Sequence, residues 1–203
     1  MGFFDIFSKK TADQYYNEGI ALFELGQNSE AVASYDKAIA INPNHAGAWS
    51  GRGLALVGAL DRNTEALTSC DKAIAINPNY AEAWVNRGAV LYGLGNTDAL
   101  ASFDKAIAIK PNYDEAWVGR GWLLAQIGRD SDDLASYGKA ITSYDKAIAI
   151  NPNHAGAWYN RGLVLGQLGR YTEAVASFDM ALAINPDYAE AKQYREIALK
   201  KIT

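Results

Sequence analysis

The chain has 203 residues, of which 49% are hydrophobic and 21% are charged, with 19 basic and 23 acidic side chains and a net charge of -4. This balance is typical of a globular protein and excludes the disordered and fibrous classes. The mild acidity and the lack of basic runs argue against a nucleic-acid partner. No apolar stretch reaches the roughly 18 residues that a membrane span needs. The single cysteine, Cys70, excludes an intrachain disulfide.

The first predicted element is the segment 1–11, MGFFDIFSKKT, in which four large apolar residues precede two lysines. These apolar residues are Phe3, Phe4, Ile6 and Phe7. Three interpretations are open. The segment covers the end of the array that follows or docks into a groove of the same or a neighbouring molecule, it anchors the protein weakly to a membrane surface, or it is a disordered tag for a partner.

Two rare residue types keep one period along the rest of the chain. The five prolines are separated by 35, 33, 41 and 34 residues, and four of the five tryptophans are separated by 35, 33 and 41. A fixed spacing of this kind indicates an array of repeats. Alignment on the prolines gives five repeats, 12–45, 46–80, 81–113, 114–154 and 155–188, followed by a half repeat, 189–203.

Each repeat contains two apolar stretches at helical spacing, which predicts a hairpin of two short helices. In repeat five, Gly169 is expected to end the first helix in a left-handed conformation. Thr172 is expected to cap the second helix, and Asn185-Pro186 to stop it. One hairpin cannot bury both of its apolar faces, so we expect stability to come from stacking. Cys70 takes the place of an aromatic residue and is predicted to be buried apolar filler.

Repeat four carries seven extra residues, because Ser136–Ile141 reads as a copy of Ser143–Ile148. Seven residues are about two helical turns, so a longer helix would keep its inner face in phase and project about 10 Å. Gly138 disfavours an unbroken helix by about 1 kcal/mol, which leaves helix and loop both open. A protruding contact element and a tolerated duplication are likewise both open. The last segment, Ala189–Ile202, predicts an amphipathic helix that acts as a solubilising cap, with Lys192, Arg195, Lys200 and Lys201 facing water.

The repeated residues resemble the tetratricopeptide repeat, whose pattern is W-x2-L-G-x2-Y, then A-x3-F, then A-x4-P. Repeat five reads Trp158-x2-Arg161-Gly162-x2-Leu165, Ala174-x3-Phe178 and Ala181-x4-Pro186. The resemblance covers residues 12–203 and implies an all-α fold, a right-handed α-solenoid of five helical hairpins with a capping helix. Arginine replaces the pattern's leucine in four repeats. We expect these arginines to pair with the repeated aspartates of the preceding repeat; a row of arginines that faces a ligand is the alternative.

In this family the first helices line a concave groove that binds a peptide or helix of another protein. By position, the resemblance assigns the groove to Tyr16, Asn17, Ile20, Phe23, Ser50, Leu54, Val57, Val85, Asn86, Ala89, Tyr92, Val118, Trp122, Tyr159, Asn160 and Leu163. A largely apolar lining suits an amphipathic helix or an apolar segment. Trp122 lies outside the tryptophan period and is a hot-spot candidate, with local packing as the alternative. Glycines interrupt the asparagine row at positions 51 and 119.

The sequence therefore predicts a cytoplasmic, non-enzymatic scaffold that binds a protein or peptide partner and needs no cofactor or metal. No nucleophile–base pair, metal cluster or phosphate loop is visible in it. The alternative is a self-assembling structural protein whose Phe3–Phe7 segment docks into a neighbouring molecule, giving a homo-oligomer, or tethers it to a membrane surface. Membrane contact is expected only peripherally, through residues 1–10.

Overall fold

The computed structural model describes residues 10–57, 62–96 and 98–202, and every regular element among them is a helix. The chain divides into two compact halves, Met1–Ser102 and Phe103–Thr203. The N-terminal half contains α1 (Ala12–Glu24), α2 (Asn28–Ile41), α3 (Ala46–Leu56), α4 (Asn63–Ile76) and α5 (Ala81–Gly93), and α6 (Ala99–Ile109) crosses the division. The C-terminal half contains α7 (Asp114–Ser131), α8 (Leu134–Ile150), α9 (Ala155–Gln167), α10 (Tyr171–Ile184) and α11 (Ala189–Ile202). Helix α1 packs on α2, α3 on α4, α7 on α8 and α9 on α10, which confirms the predicted all-α solenoid class of helical hairpins.

The turn of repeat five shows how the sequence ends one helix and begins the next. Helix α9 ends at Gln167, and Gly169 has a φ of 72°, the left-handed conformation that glycine adopts without strain. The predicted cap at Thr172 is wrong, because α10 already begins at Tyr171 and its N-cap residue is Arg170. The Arg170 guanidinium instead pairs with Glu173 at 2.7 Å. Helix α10 ends at Ile184, immediately before the predicted Asn185-Pro186 stop.

The shared period of proline and tryptophan has a direct structural cause. The indole N–H of each periodic tryptophan donates to the carbonyl oxygen of the proline six residues earlier, at 2.8–2.9 Å. The four pairs are Trp49 with Pro43, Trp84 with Pro78, Trp117 with Pro111, and Trp158 with Pro152. Each bond satisfies the one polar group of a large apolar side chain. It also ties the start of a first helix to the loop that precedes it.

The repeated arginines hold neighbouring hairpins together, as predicted. The Nε atoms of Arg52, Arg87, Arg120 and Arg161 donate to Oδ1 of Asp36, Asp71, Asp104 and Asp145, at 2.7–2.8 Å. Each Nη1 atom also donates to a buried serine hydroxyl at 2.7–2.9 Å, an interaction that the sequence prediction missed; the acceptors are Ser69, Ser102, Ser143 and Ser177. Arg195 of α11 repeats the pairing with Asp179. These guanidinium groups are therefore committed to the fold.

The insertion of repeat four is helical and is shared between two helices. Helix α7 has 18 residues and α8 has 17, against 13 in α9 and 14 in α10. Each helix is thus longer by about one turn, or roughly 5 Å at 1.5 Å per residue. The expected projection of about 10 Å was wrong because it assigned the whole insertion to one helix, whereas an antiparallel hairpin divides it between both.

The added turns are packed against each other. Gly128 is the counterpart of the turn residue Gly169, but it lies inside α7, where a Cβ atom would stand 2.9 Å from the ring of Tyr137. Tyr137 and Ile141 are 6% and 7% exposed, and Ala140 is fully buried. Packing also distinguishes the duplicated serines, since Ser143 receives Arg120 whereas Ser136 bonds to Asp133.

Cys70 fills a position where a first helix and a second helix approach closely. It is fully buried, and a Cβ atom on Gly53 would stand 2.6 Å from its Sγ atom. Burial raises the pKa of the Cys70 thiol to about 12, so the thiol is uncharged at neutral pH. This confirms the predicted role as apolar filler.

Candidate functional site

The predicted groove positions of the N-terminal half lie on α1, α3 and α5, apart from Val57, which follows the last residue of α3. Tyr16, Ile20, Phe23 and Val57 are partly buried and pack against the hydrophobic core of that half. Leu54, Val85, Ala89 and Tyr92 are also partly buried, and Asn17 is exposed. Several of the apolar groove residues of this half therefore also contribute to its hydrophobic core.

Two of the predicted groove residues in that half bind each other. Ser50 is only 2% exposed, and the Asn86 side-chain nitrogen donates to its hydroxyl at 3.0 Å and to its carbonyl oxygen at 3.4 Å. The two residues lie on α3 and α5, so the interaction bridges successive first helices. The Asn86 amide is therefore already engaged within the protein.

The gaps in the asparagine row have a packing cause. A Cβ atom on Gly51 would stand 2.6 Å from the Tyr35 ring, and one on Gly119 would stand 2.4 Å from the Phe103 ring. Tyr35 and Phe103 are buried and cannot move aside easily. Glycine at these two positions thus admits a large aromatic ring beneath the first helix.

The C-terminal half contains a cavity of about 200 Å³ between α7, α8, α9 and α11. Its apolar wall is formed by Trp122, Ala125, Leu163 and Val164. Its polar wall is formed by Gln126, Arg129, Asn160 and Gln167, together with the aromatic residues Tyr137, Tyr144 and Tyr194. The cavity brings together three predicted groove residues, Trp122, Asn160 and Leu163. Trp122 is 37% exposed at this site.

A second cavity, of about 220 Å³, lies between α9, α10 and α11. It shares Leu163, Gln167 and Tyr194 with the first cavity and adds Ile197 and Lys201 of α11. The sequence prediction treated α11 as a solubilising cap and missed this contribution. Tyr194 and Ile197 are 42% and 46% exposed, so the helix also presents an apolar face. The signal was available, because these residues follow Asn160 and Leu163 by the same 34 residues that separate the last two prolines.

An aromatic cluster around Tyr159 forms one flank of this surface. The Tyr159 ring centroid lies 4.8 Å from that of Tyr188, 6.0 Å from that of Phe178 and 6.1 Å from that of Tyr194. Burial raises the pKa of Tyr159 to about 12, so its hydroxyl remains protonated at neutral pH. Val118 of α7, another predicted groove residue, is half-buried. These aromatic rings form a rigid flank beside the two cavities, because aromatic side chains have few rotatable bonds.

The two histidines cap helices. Nδ1 of His45 accepts from the Ala48 N–H at 3.0 Å, and Nδ1 of His154 accepts from the Ala157 N–H at 3.1 Å. Across residues 10–57, 62–96 and 98–202, no group of three His, Cys, Asp or Glu side chains is placed to hold a metal ion. None of the helices in these ranges combines the length and apolar character needed to cross a membrane. The predicted docking residues Phe3, Phe4, Ile6 and Phe7 lie outside the described residues.

Family profiles match most of the repeat region. The profile described as TPR repeat matches residues 19–58, 59–95 and 134–169, and the profile described as tetratricopeptide repeat matches residues 155–188. Together these matches cover more than half of the chain. No curated protein sequence matches the chain.

Several solved structures share the fold. A thermophilic TPR protein of Thermus thermophilus, TTC0263, is 20% identical, with 94% of this chain and 100% of that chain covered and a TM-score of 0.78. YrrB, described as a TPR protein with an unusual peptide-binding site, is 26% identical, with 91% and 92% covered and a TM-score of 0.61. MamA of Desulfovibrio magneticus RS-1, from residue 41 to its end, is 21% identical, with 89% and 98% covered and a TM-score of 0.63. From the repeat profiles and the helical hairpins that they match, the chain belongs to the tetratricopeptide repeat family.

Proposed function

We propose that this chain is a non-enzymatic interaction scaffold that binds an apolar or amphipathic segment of a partner protein along the inner faces of its first helices. The cavity beside Trp122 carries the proposal, because a large aromatic side chain, 37% exposed, stands there beside a recess. Exposed aromatic residues next to recesses are frequent hot spots of protein interfaces. The similarity to YrrB, which has a peptide-binding site, supports the same conclusion.

The size and lining of the cavity favour a side chain of a larger partner over a free small molecule. Its volume of about 200 Å³ is below the roughly 300–1,000 Å³ of typical small-ligand pockets. The amide groups of Gln126, Asn160 and Gln167 can donate to and accept from a peptide backbone around an apolar anchor. An apolar centre with such a polar surround is the usual anatomy of a peptide interface.

The experiment is to select ligands for the full chain from a displayed peptide library and to measure their affinity by titration calorimetry. We expect Trp122→Ala to weaken binding about thirtyfold, the effect of a hot-spot truncation. Leu54→Ala is expected to weaken the binding of a ligand that docks on the N-terminal half. Ile127→Ala is the matched control, because Ile127 lies on the same helix, is also 37% exposed and lines neither cavity.

Far-UV circular dichroism must show unchanged helix content in all three variants. Equal affinities of wild type, Trp122→Ala and Leu54→Ala for every selected ligand would exclude the groove. A loss in Ile127→Ala equal to that in Trp122→Ala would show that the effect is not specific to the cavity.

A second candidate is self-assembly, in which the apolar segment of Phe3, Phe4, Ile6 and Phe7 occupies the groove of a neighbouring molecule. The apolar surface formed by Trp122, Tyr194 and Ile197 favours it, because these side chains are 37–46% exposed. Light scattering of the full chain and of a chain lacking residues 1–10 separates the two candidates. Self-assembly predicts that the full chain forms oligomers and that the shortened chain does not. If both chains are monomeric at high concentration, self-assembly through this segment is excluded.

A further inference from the structure

We infer that the partner segment is acidic, and that Arg129 and Lys201 receive the carboxylates of Asp or Glu side chains while Trp122, Leu163 and Ile197 hold its apolar face. This inference rests on the proposed function and names the chemistry of the partner. It begins from three apolar residues that occupy one repeat position on α7, α9 and α11. Trp122 and Leu163 are separated by 41 residues and Leu163 and Ile197 by 34, the proline intervals of those repeats.

Both cations lie on the same side of this apolar row, toward the C-terminal ends of α7 and α11. Arg129 follows Trp122 by seven residues of α7, which places it about 10 Å further along the helix. Lys201 follows Ile197 by four residues of α11, or about 6 Å. Gln167, the last residue of α9, lines both cavities and marks the end of the groove where the two cations stand.

The charge of the lining selects an anionic partner. Arg129 lines the first cavity and Lys201 the second, and among the residues that the structure describes no acidic side chain lines either cavity. The Arg129 side chain is 63% exposed and approaches Asp130 only at 3.9 Å, in contrast to the short bonds of the repeated arginines. A carboxylate bound in the cavity would meet the Arg129 guanidinium from the cavity side, whereas Asp130, 3.9 Å from Arg129, is not part of the cavity lining.

The insertion of repeat four creates this feature. Arg129 comes directly after Gly128, the counterpart of Gly169. In repeat five the first helix has already ended before Gly169, whereas in repeat four α7 continues past Gly128 and includes Arg129. The packing of Tyr137 on Gly128 keeps α7 helical through Arg129. Arg129 is therefore presented by the added turn, which makes this turn a specificity element and not only a lengthened scaffold.

The test uses two synthetic helical peptides that share a leucine face. One carries glutamates flanking that face, and the other carries glutamines at the same positions. Fluorescence anisotropy measures the affinity of each labelled peptide for the full chain at low and high salt. We expect the wild type to prefer the glutamate peptide by up to about fivefold for each charge contact, and this preference to shrink at high salt.

Arg129→Gln and Lys201→Gln are each expected to lower the affinity for the glutamate peptide by more than the affinity for the glutamine peptide, which reduces the preference. Lys146→Gln is the matched control, because Lys146 is exposed on α8 and lines neither cavity. Equal wild-type affinities for both peptides, lost together in Trp122→Ala, would overturn the acidic preference and leave the groove standing. Absence of binding by both peptides would overturn the inference, and failure of library-selected ligands to depend on Trp122 or Leu54 would separately overturn the proposed function.

Discussion

The close approach of α9 and α10 makes a strong prediction for a minimal substitution, Gly162→Ala. A Cβ atom at Gly162 would stand 2.6 Å from Cε1 and 2.9 Å from Cδ1 and Cζ of Phe178. The Phe178 ring is 2% exposed, so it is packed on most sides and can yield only toward the second cavity, which it also lines. Overpacking of this kind costs about 1–3 kcal/mol. The higher helix propensity of alanine offsets about 1 kcal/mol of this cost, because alanine is more favourable than glycine in a helix by that amount.

Gly166→Ala on the same helix is the matched control, because a Cβ atom there would contact nothing within 4 Å. This variant is expected to stabilise the protein by about 1 kcal/mol. The two variants should thus differ by about 1–3 kcal/mol, the overpacking term alone. Urea unfolding followed by far-UV circular dichroism measures both. Equal midpoints for Gly162→Ala and Gly166→Ala would refute the argument that α9 and α10 are held at the distance that glycine permits.

Three further predictions concern the insertion, the arginine network and the cysteine. Gly138→Ala should raise the free energy of unfolding by about 1 kcal/mol, because a Cβ atom at this position in α8 meets open space; a lower urea midpoint would contradict a continuous α8. Arg161→Lys should lower the free energy of unfolding by about 1–2 kcal/mol, because lysine cannot keep both the Asp145 and the Ser177 bonds. Arg170→Lys, at an exposed position, should lower it by less, and a larger loss in Arg170→Lys than in Arg161→Lys would contradict this prediction. Cys70 should resist a thiol reagent in the folded protein at pH 9 and react in urea, because burial raises the pKa of the thiol from 9.0 to about 12. The contribution of the buried thiol to stability is present below pH 9 and is lost as the pH rises towards 12. Rapid labelling of the native protein would refute the burial of Cys70.

The hairpins could be predicted from the sequence because the signals that end a helix are local. Asn185-Pro186 and Gly169 act through their own backbone preferences, so their positions fix helix ends without knowledge of the neighbours. The pairing of Arg161 with Asp145 was also predictable, since both residues recur with the repeat. Thr172 shows the limit of this reasoning, because a capping side chain one residue away from the true start forms no cap.

The cavities could not be predicted, because they depend on features that a repeat pattern does not contain. The division of the insertion between α7 and α8 follows from the packing of Tyr137 on Gly128, a contact between a residue of the inserted block and the counterpart of the turn glycine Gly169. Tyr194 was overlooked because it lies in a half repeat that lacks the periodic tryptophan. A groove carried over by position thus includes the buried Ser50 and omits the exposed Tyr194.

The seven-residue insertion has a consequence for how a helical hairpin of this array can change in length. Seven residues divided between two antiparallel helices add about one turn to each, so every side chain beyond the insertion keeps the direction in which it faced. The bond from Arg120 to Ser143 spans the inserted block and measures 2.9 Å, within the 2.7–2.9 Å range of its counterparts in the other repeats. Lengthening in blocks of seven is therefore a mutational path that leaves the stacked neighbours undisturbed. Protein engineers can use the same insertions to lengthen a helical hairpin in steps of roughly 5 Å and so place a charged residue beside a groove.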